Sequence, residues 1–272
     1  MDRPSLDRFP PLLQRAAPNF HSQDSDVRVA TTGAIGAFNS PEVRQIKEQI
    51  VEAGKKLWQR QYVDGNGGNI SVRISPELVI CTPTLMSKAD LAPDDLSLID
   101  MGNNRLCGER PQTSEILLHL AIYKAVPQAG AIIHCHPPYA TAHAVAQTLP
   151  PEGLVSEKEI FIGPVALAPY ETPGTQAFAN TVLPYVRDHN TVLLANHGAV
   201  CWADTVTHAE WYVEIIETYC KTVMLAAQLR SPLPEIPQEK IQELLAIKRR
   251  LGLPDARYQS CAMPSDMPEK GL

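Results

Sequence analysis

Hydrophobic residues recur along the chain with the spacing of strands in some segments and of helices in others. Residues 131–133 and 191–195 are uninterrupted apolar runs of strand length, which indicates two buried strands. Apolar and polar residues alternate over 70–74, and a Ser-Pro turn leads into the apolar run 78–80, so these segments predict a hairpin. Two further short strands are predicted on either side of the turn at 102–104, and another short strand is predicted at 164–168.

Helices are predicted between these strands. Ser40 followed by Pro41 is a helix-start signal, and the apolar residues after it keep helical spacing to about residue 63. Asp204 is the expected N-cap of a long helix, because apolar residues recur every three or four positions from Val206 to Ala227. The other predicted helices are at 114–125, 137–147, 173–188 and 238–251.

This order of elements predicts a single α/β domain. We expect a partly ordered arm at 1–39, because this segment is rich in Pro, Asp, Ser and Gly and has weak periodicity. The domain itself is expected at 40–230. A Ser-Pro-Leu-Pro break separates it from a C-terminal helix and tail at 231–272.

Composition narrows the class of protein. Of the 272 residues 44% are hydrophobic, which is enough to bury one large core without disulfides or structural metals. The formal net charge of −6 gives no general attraction for nucleic acid. The six cysteines contain no Cys-x-x-Cys motif, and the chain has neither a signal-peptide pattern nor an apolar run long enough to span a membrane. We therefore expect a soluble cytoplasmic protein without disulfides, with no nucleic-acid or membrane partner.

Histidines mark the ends of two predicted strands. His134 and His136 are two positions apart, so they project from the same face of the strand that begins at residue 131. His197 lies in the polar, glycine-containing turn after the run 191–195. Three imidazoles around one zinc ion leave a coordination position open, as catalytic zinc requires. A His-x-His pair alone is more often two unrelated histidines, so it is His197 that favours a metal site.

Two further segments have the residue types of an anion site. The glycines of 64–69 let backbone N–H groups approach a phosphate, although a flexible turn between helix and strand is an equally good interpretation. Thr113 and Ser114 lie at a predicted helix start, where free N–H groups favour negative charge, but a simple N-cap explains them as well. Glu115, considered without the other motifs, is interpreted as a surface acid that complements the helix dipole.

The order of these motifs resembles the class II aldolase/adducin family. A Gly-Asn loop, Ser-Glu at a helix start, His-x-His and Asn-His-Gly follow one another, and the likeness spans roughly residues 41–229. Within the family the chain is most similar to the L-fuculose-1-phosphate aldolase group. The resemblance implies an α/β/α sandwich around a mainly antiparallel sheet, a homotetramer and a metal-dependent lyase.

The resemblance also implies a role for each residue of the motifs. His134, His136 and His197 would bind zinc or another divalent metal, and Glu115 would be the catalytic acid/base. Tyr258 in the tail is a candidate proton donor. The substrate would be a small phosphorylated sugar, and its phosphate would be held by Asn66, Gly68, Asn69, Thr84, Thr113 and Ser114.

The expected reaction is cleavage of a deoxyketose 1-phosphate, such as L-fuculose or L-rhamnulose 1-phosphate, into dihydroxyacetone phosphate and lactaldehyde. Other members with the same metal platform decarboxylate sugar acid phosphates or aromatic acids, which is the main alternative. A non-catalytic adducin-like module is a third possibility, although such members lack the metal-binding histidines. Glu115 favours cleavage over epimerisation, since the related epimerases carry aspartate there.

Several residues depart from the family pattern or have a plainer interpretation. Asn66 and Leu85 stand where the fuculose-phosphate aldolases have threonine and glycine. The segment 152–161 is expected to shape the sugar end of the pocket. Cys135 points away from its histidine neighbours and is interpreted as core. The residues interpreted as packing or surface positions on predicted helices are His119 and His143.

Overall fold

The structure, a computed structural model, describes residues 36–259. Most of the predicted N-terminal arm (residues 1–35), the end of the predicted tail (260–272) and Cys261 therefore lie outside the described residues. The strands are β1 (Asn69–Arg73), β2 (Leu78–Cys81), β3 (Ser97–Asp100), β4 (Arg105–Cys107), β5 (Ala131–Cys135), β6 (Ala166–Ala168), β7 (Thr191–Leu194) and β8 (Gly198–Ala203). The helices are α1 (Pro41–Gln59), α2 (Ile116–Ala125), α3 (Pro138–Ala146), α4 (Ser156–Phe161), α5 (Gln176–Asn180), α6 (Val206–Leu229) and α7 (Gln238–Arg250).

The eight strands form one sheet in the order β4-β3-β2-β1-β5-β8-β7-β6. Only the edge pair β6 and β7 is parallel, and every other neighbouring pair is antiparallel. Both faces are covered, because successive residues of a strand point to opposite sides. On β5, Ile133 and Cys135 pack with residues of α1 and α6, whereas Ile132 packs with residues of α2 and α5. The expected α/β/α sandwich with a mainly antiparallel sheet is confirmed.

Some predicted elements differ from the structure, among them α1, which was predicted to about residue 63 and ends at Gln59. Helix α2 begins at Ile116, two residues later than predicted, which leaves Thr113 and Ser114 in the turn before it. The predicted helix at 173–188 is wrong in extent, since only Gln176–Asn180 is helical and turns follow. Pro184 explains this, because it has no N–H to donate and disfavours a helical residue before it. The N-cap of α6 is Thr205, whose hydroxyl accepts from the His208 N–H, rather than Asp204.

Two elements were not predicted. Strand β8, which is fully buried, was not predicted because its first residue belongs to the Asn-His-Gly motif, and that motif was interpreted only as a turn. Helix α4 is six residues long and begins with a charged run that has no clear amphipathic period. It packs against α7. None of the described helices is both long and apolar enough to cross a membrane.

Candidate active site

The register of β1 against β5 brings the first site residues together. Asn69 lies directly opposite His134, so both side chains project from the sheet face that α2 covers. His136 follows the end of β5, and its backbone N–H donates to the Tyr62 carbonyl at 2.8 Å. A Cβ atom at Gly198 would lie 2.7 Å from His136 Cδ2. Glycine in the Asn-His-Gly motif therefore leaves room for a metal-candidate imidazole.

The hairpin between β7 and β8 presents the third imidazole. Asn196 has a φ of 55°, a left-handed conformation that asparagine tolerates better than most residues, and it reverses the chain. The backbone N–H of His197 donates to the Leu194 carbonyl at 3.0 Å. Phe178 of α5 packs beside the His197 ring, with 5.5 Å between the ring centroids. Backbone and packing together orient this side chain.

The three imidazoles converge. Each of His134, His136 and His197 offers one ligand atom, and these atoms lie within 4.8 Å of one another. His134 Nε2 and His136 Nε2 are 3.2 Å apart. Two nitrogens bound tetrahedrally to zinc at 2.0–2.1 Å would be about 3.3 Å apart, so this separation fits a shared zinc ion.

Protonation of His134 provides a second test of the metal assignment. Its Nδ1 lies 2.9 Å from the Ala199 carbonyl, which only accepts, so the proton is on Nδ1 and Nε2 carries a lone pair. Burial, and then the neighbouring imidazoles, hold the pKa of His134 well below its usual range. The Nε2 lone pair nevertheless faces His136 Nε2 and, at 3.2 Å, Glu115 Oε2. Such a set of electron-pair donors fits a divalent cation.

Glu115 completes this group. It is the N-cap residue of α2 rather than part of its first turn, and only 8% of it is exposed. One carboxylate oxygen lies 3.2 Å from His134 Nε2 and the other 3.4 Å from His197 Nε2. The carboxylate therefore lies beside the position that the three imidazoles surround. We call His134, His136, His197 and Glu115 the histidine-glutamate site.

A buried hydrogen-bond chain fixes the Glu115 side chain. Asn69 Nδ2 donates to Glu115 Oε2 at 2.8 Å, so Asn69 Oδ1 is free to accept, and His119 Nε2 lies 2.6 Å from it. Burial lowers the pKa of His119 to about 3, so its ring is neutral with one N–H, on Nε2. His119 Nδ1 then accepts from the Ser71 hydroxyl at 2.7 Å, and Tyr123 lies 2.9 Å beyond. From Glu115 to the Ser71 hydroxyl, each polar atom has a donor or acceptor role that fits its neighbours.

Sequence reasoning assigned His119 only to packing or surface. Its burial is confirmed, but its bond to Asn69 makes it part of the support for Glu115. The sequence did contain a signal for this: His119 is four residues after Glu115, about one helical turn beyond the residue that caps α2. Asn69 and Ser71 alternate with Ile70 in β1, which places both polar side chains on the same sheet face.

The candidate phosphate residues lie on three neighbouring segments. The first is the loop 64–68, where Gly68 has a φ of 69° and a Cβ atom would lie 2.5 Å from Val63 Cγ1, so only glycine fits. The second and third segments run side by side: the Thr113 N–H donates to the Thr82 carbonyl at 3.0 Å, and the Thr84 N–H donates to the Pro111 carbonyl at 3.2 Å. Thr113 is buried and Ser114 exposed.

The two departures from the family pattern lie on these segments. Asn66 is exposed in the first loop. Leu85 has a φ of 54°, the left-handed conformation that glycine adopts most easily. The backbone at 85 thus keeps a glycine-like conformation although a bulky residue occupies the position, at a cost of about 1–2 kcal/mol.

The remaining candidates lie elsewhere. Tyr258 donates its hydroxyl to the Leu253 carbonyl at 3.0 Å and stacks with Arg249, so its contacts are within the C-terminal segment. Burial raises its pKa to about 12. Cys135 is buried in the core, as expected. His143 Nδ1 lies 2.9 Å from the Thr148 carbonyl.

The segment 152–161, expected at the sugar end of the pocket, also makes its charged contacts elsewhere. Lys158 and Glu159 are buried on α4, and Glu159 pairs with Arg257 at 2.6 Å. Arg257 in turn pairs with Asp255, which pairs with Lys248 of α7 at 3.1 Å. These contacts join α4 to the C-terminal segment.

Comparison with known proteins supplies independent information. Residues 48–224 match the family model of the class II aldolase and adducin N-terminal domain. A 5-deoxy-D-ribulose 1-phosphate aldolase of Bacillus thuringiensis is 32% identical over 201 residues, which cover 73% of this chain and 92% of that protein. A 3-oxo-tetronate 4-phosphate decarboxylase of Haemophilus influenzae is 33% identical over 179 residues, covering 64% and 85%.

A solved structure is similar over a comparable length. An L-fuculose 1-phosphate aldolase superimposes with a TM-score of 0.69 at 29% sequence identity. The match covers 77% of this chain and 97% of that one. Relatives named for two different reactions are thus similar to this chain in sequence.

Proposed function

The chain belongs to the class II aldolase and adducin family, and its aldolase-named relatives identify it as a lyase; we propose that it cleaves a ketose 1-phosphate between C3 and C4. The products would be dihydroxyacetone phosphate and an aldehyde, which is lactaldehyde if the substrate is L-fuculose or L-rhamnulose 1-phosphate. The observation that carries this proposal is the Glu115 carboxylate, held 3.2 Å from His134 and 3.4 Å from His197.

The names of the relatives define a shared chemical problem. A ketose 1-phosphate and a 3-oxo-tetronate 4-phosphate each have a ketone next to a phosphorylated CH2 group. Breaking the carbon-carbon bond one position beyond the ketone leaves, in both cases, the enediolate of dihydroxyacetone phosphate. The two reactions differ only in what leaves, which is an aldehyde in one and carbon dioxide in the other. A site that holds the phosphate and the ketone serves both.

The residues of this chain divide the work of the cleavage. His134, His136 and His197 would hold a divalent cation, for which we propose zinc; bound there, it would supply a Lewis acid for the ketone oxygen. As C3–C4 breaks, the C4 hydroxyl gives its proton to a base, for which Tyr258 is our candidate, and its oxygen becomes the aldehyde. Glu115 gives a proton to C3, which completes dihydroxyacetone phosphate, and exchange with solvent then restores the proton of Glu115 and removes the one that the base accepted. Asn69, fixed by His119, holds the carboxylate in position for that transfer.

Decarboxylation of a sugar acid phosphate is the second candidate, favoured by the 33% identity to the Haemophilus influenzae decarboxylase. It makes a different demand on the protein. Retro-aldol cleavage needs a group that takes the proton of the C4 hydroxyl, whereas loss of carbon dioxide needs none. Tyr258, our candidate for proton transfer to and from the leaving aldehyde, would have to release Leu253 in order to act. An aldolase therefore requires a movement that a decarboxylase does not.

The two reactions share dihydroxyacetone phosphate, so the test must follow the other product. Purified zinc-loaded protein is incubated with L-fuculose, L-rhamnulose and 5-deoxy-D-ribulose 1-phosphates, and with 3-oxo-tetronate 4-phosphate. We expect stoichiometric aldehyde from at least one ketose phosphate. Carbon dioxide from the acid without aldehyde from any ketose phosphate would transfer the assignment to the second candidate, and no product from either class would reject both.

We further propose that the protein functions as a cytoplasmic homotetramer. The support is the resemblance to the L-fuculose-1-phosphate aldolase group together with the solved neighbour of that name. Light scattering coupled to size-exclusion chromatography checks the assembly. A mass close to four times 29.9 kDa is expected, and a mass close to 29.9 kDa would contradict it.

A further inference from the structure

Lys88 is a buried cation next to the phosphate candidates. It begins a short 3-10 helix, Lys88–Asp90, four residues after Thr84, and only 1% of it is exposed. Its Nζ donates to the Met86 carbonyl at 2.9 Å and approaches the Asn66 carbonyl at 3.4 Å. The ammonium therefore lies between the loop 64–68 and the segment after Thr84.

The other fully buried lysines show what Lys88 lacks. Among the described residues, Lys158 and Lys248 are also less than 2% exposed, and each has a carboxylate partner, Glu159 at 3.2 Å and Asp255 at 3.1 Å. Lys88 forms no ion pair with any residue of 36–259, and its recorded partners are neutral carbonyls. Lysine is rarely buried without a partner, because a charged group loses its hydration there. The environment of Lys88 thus fits an anion that is not part of the protein.

The candidate phosphate-binding residues lack a positive charge, whereas Lys88 lacks a negatively charged partner among the described residues. None of Asn66, Gly68, Asn69, Thr84, Thr113 and Ser114 carries a positive charge. A phosphate ester near these residues would also lie close to the Glu115 carboxylate. A divalent cation at the three histidines would offset the Glu115 carboxylate, and a phosphate dianion is further stabilised by a second positive charge on the side of these uncharged residues.

We propose that Lys88 is the cationic residue of the phosphate site and binds the substrate's phosphate group directly. This proposal rests on the proposed function for the identity of the substrate, but the anion site itself is independent of which bond is cleaved. The left-handed backbone at Leu85 supports it, because strain of this kind is retained where neighbouring groups must be held for a ligand. Burial lowers the pKa of Lys88 to about 8, with Glu115 acting in the opposite direction, so the ammonium still predominates at pH 7.

The test compares a charged with an uncharged side chain of similar length. Zinc-loaded wild type, Lys88→Met and Lys88→Arg are titrated calorimetrically with inorganic phosphate, and Lys55→Met, which removes an exposed charge of α1, is the matched control. We expect Lys88→Met to weaken phosphate binding about ten- to a hundredfold, as for loss of one charge-assisted hydrogen bond. Lys88→Arg should recover most of the loss, and Lys55→Met should change binding less than twofold.

Kinetics separate a binding role from a structural one. If Lys88 binds phosphate, Lys88→Met raises KM for the ketose 1-phosphate by a similar factor, with a smaller change in kcat, and lowers kcat/KM for the ketose 1-phosphate far more than for the unphosphorylated ketose. Equal losses on both substrates, or unchanged phosphate affinity, would overturn the proposal.

Native protein provides a check that does not depend on the variants folding. In crystals soaked with inorganic phosphate we expect a phosphate oxygen within hydrogen-bond distance of Lys88 Nζ, and phosphate bound only elsewhere would overturn the proposal. Wild type that binds phosphate through Lys88 but converts neither substrate class would reject the proposed function and retain the phosphate site.

Discussion

This molecule has two clusters of charged and polar side chains, and they differ in whether each charged or hydrogen-bonding group faces a group of opposite character. In the C-terminal ion cluster, formed by Lys158, Glu159, Lys248, Asp255 and Arg257, oppositely charged atoms lie 2.6–3.2 Å apart. In the histidine-glutamate site, electron-pair donors face one another at 3.2–3.4 Å.

The difference indicates different functions for the two clusters. A cluster whose charges are all paired is complete as it stands, and it holds α4 to the C-terminal segment. A cluster of facing donors becomes favourable only when a cation joins them. Buried polar groups that match therefore point to structure, and buried groups that do not match point to a ligand. Lys88, which is buried and forms no ion pair within residues 36–259, extends the second category to an anion.

The largest effect should come from removing the Glu115 charge. Glu115→Gln keeps the size of the side chain but cannot accept a proton, so kcat should fall about 10²- to 10⁴-fold. Zinc content and the midpoint of denaturant unfolding should stay close to wild type. Steady-state kinetics, elemental analysis and urea unfolding measure the three quantities. An unchanged rate would remove Glu115 from the mechanism.

The reverse pattern is expected for the C-terminal ion cluster. Glu159→Gln leaves Lys158 with an uncompensated buried charge and Arg257 with Asp255 as its remaining close partner, which should lower the free energy of unfolding by about 3–5 kcal/mol. Zinc content should not change. Urea unfolding with Glu48→Gln, which breaks an exposed pair with Arg44, is the matched control and should show little change. Loss of zinc from folded Glu159→Gln would contradict the claim that the C-terminal ion cluster and the histidine-glutamate site have independent functions.

A smaller effect on turnover is expected at His119. His119→Leu removes the donor to Asn69 and should lower kcat about 10- to 100-fold with little change in KM, as for partners that orient a site residue. His119→Gln can place an N–H near the same position and should recover part of the rate. Equal loss in both variants would indicate that His119 contributes packing alone.

The smallest effect is a pH dependence of stability. Burial raises the pKa of Asp255 and Glu159, but Arg257 and the neighbouring lysines outweigh it and hold both values below their usual 3.8 and 4.5. The stability these groups contribute is therefore present above those values and is lost as the pH falls through the lower folded-state pKa. Thermal unfolding of wild type should lose stability below about pH 4.5, and Asp255→Asn should flatten that decline. Parallel curves for both proteins would contradict the assignment.

Local patterns predicted most of the fold because many of its determinants are local. The apolar runs of β5 and β7 and the alternation in β1 predicted strands that the structure contains. Failures occurred where tertiary contacts decide. Helix α4 is held by the ion pair of Glu159 with Arg257, 98 positions later, and no window around residue 158 contains that information.

The sequence predicted which residues form the site, but it did not predict the hydrogen bonds between them. The two strand-end motifs predicted that His134, His136 and His197 would meet, and the structure brings them together. The support of Glu115 by Asn69 and His119 depends on the pairing of β1 with β5, which single-sequence patterns do not specify. The sequence did not indicate Lys88 as a site residue, because lysine is usually exposed to solvent and its burial depends on tertiary packing.

Metal binding is the most direct test of the histidine-glutamate site. Metal-free protein is titrated with zinc by calorimetry, alongside His134→Ala and Glu159→Gln. We expect one zinc per chain in wild type and Glu159→Gln, no stoichiometric binding in His134→Ala, and zinc-nitrogen distances of about 2.0–2.1 Å by X-ray absorption. Wild type that binds no stoichiometric divalent metal, or His134→Ala that binds it as tightly as wild type, would contradict the account.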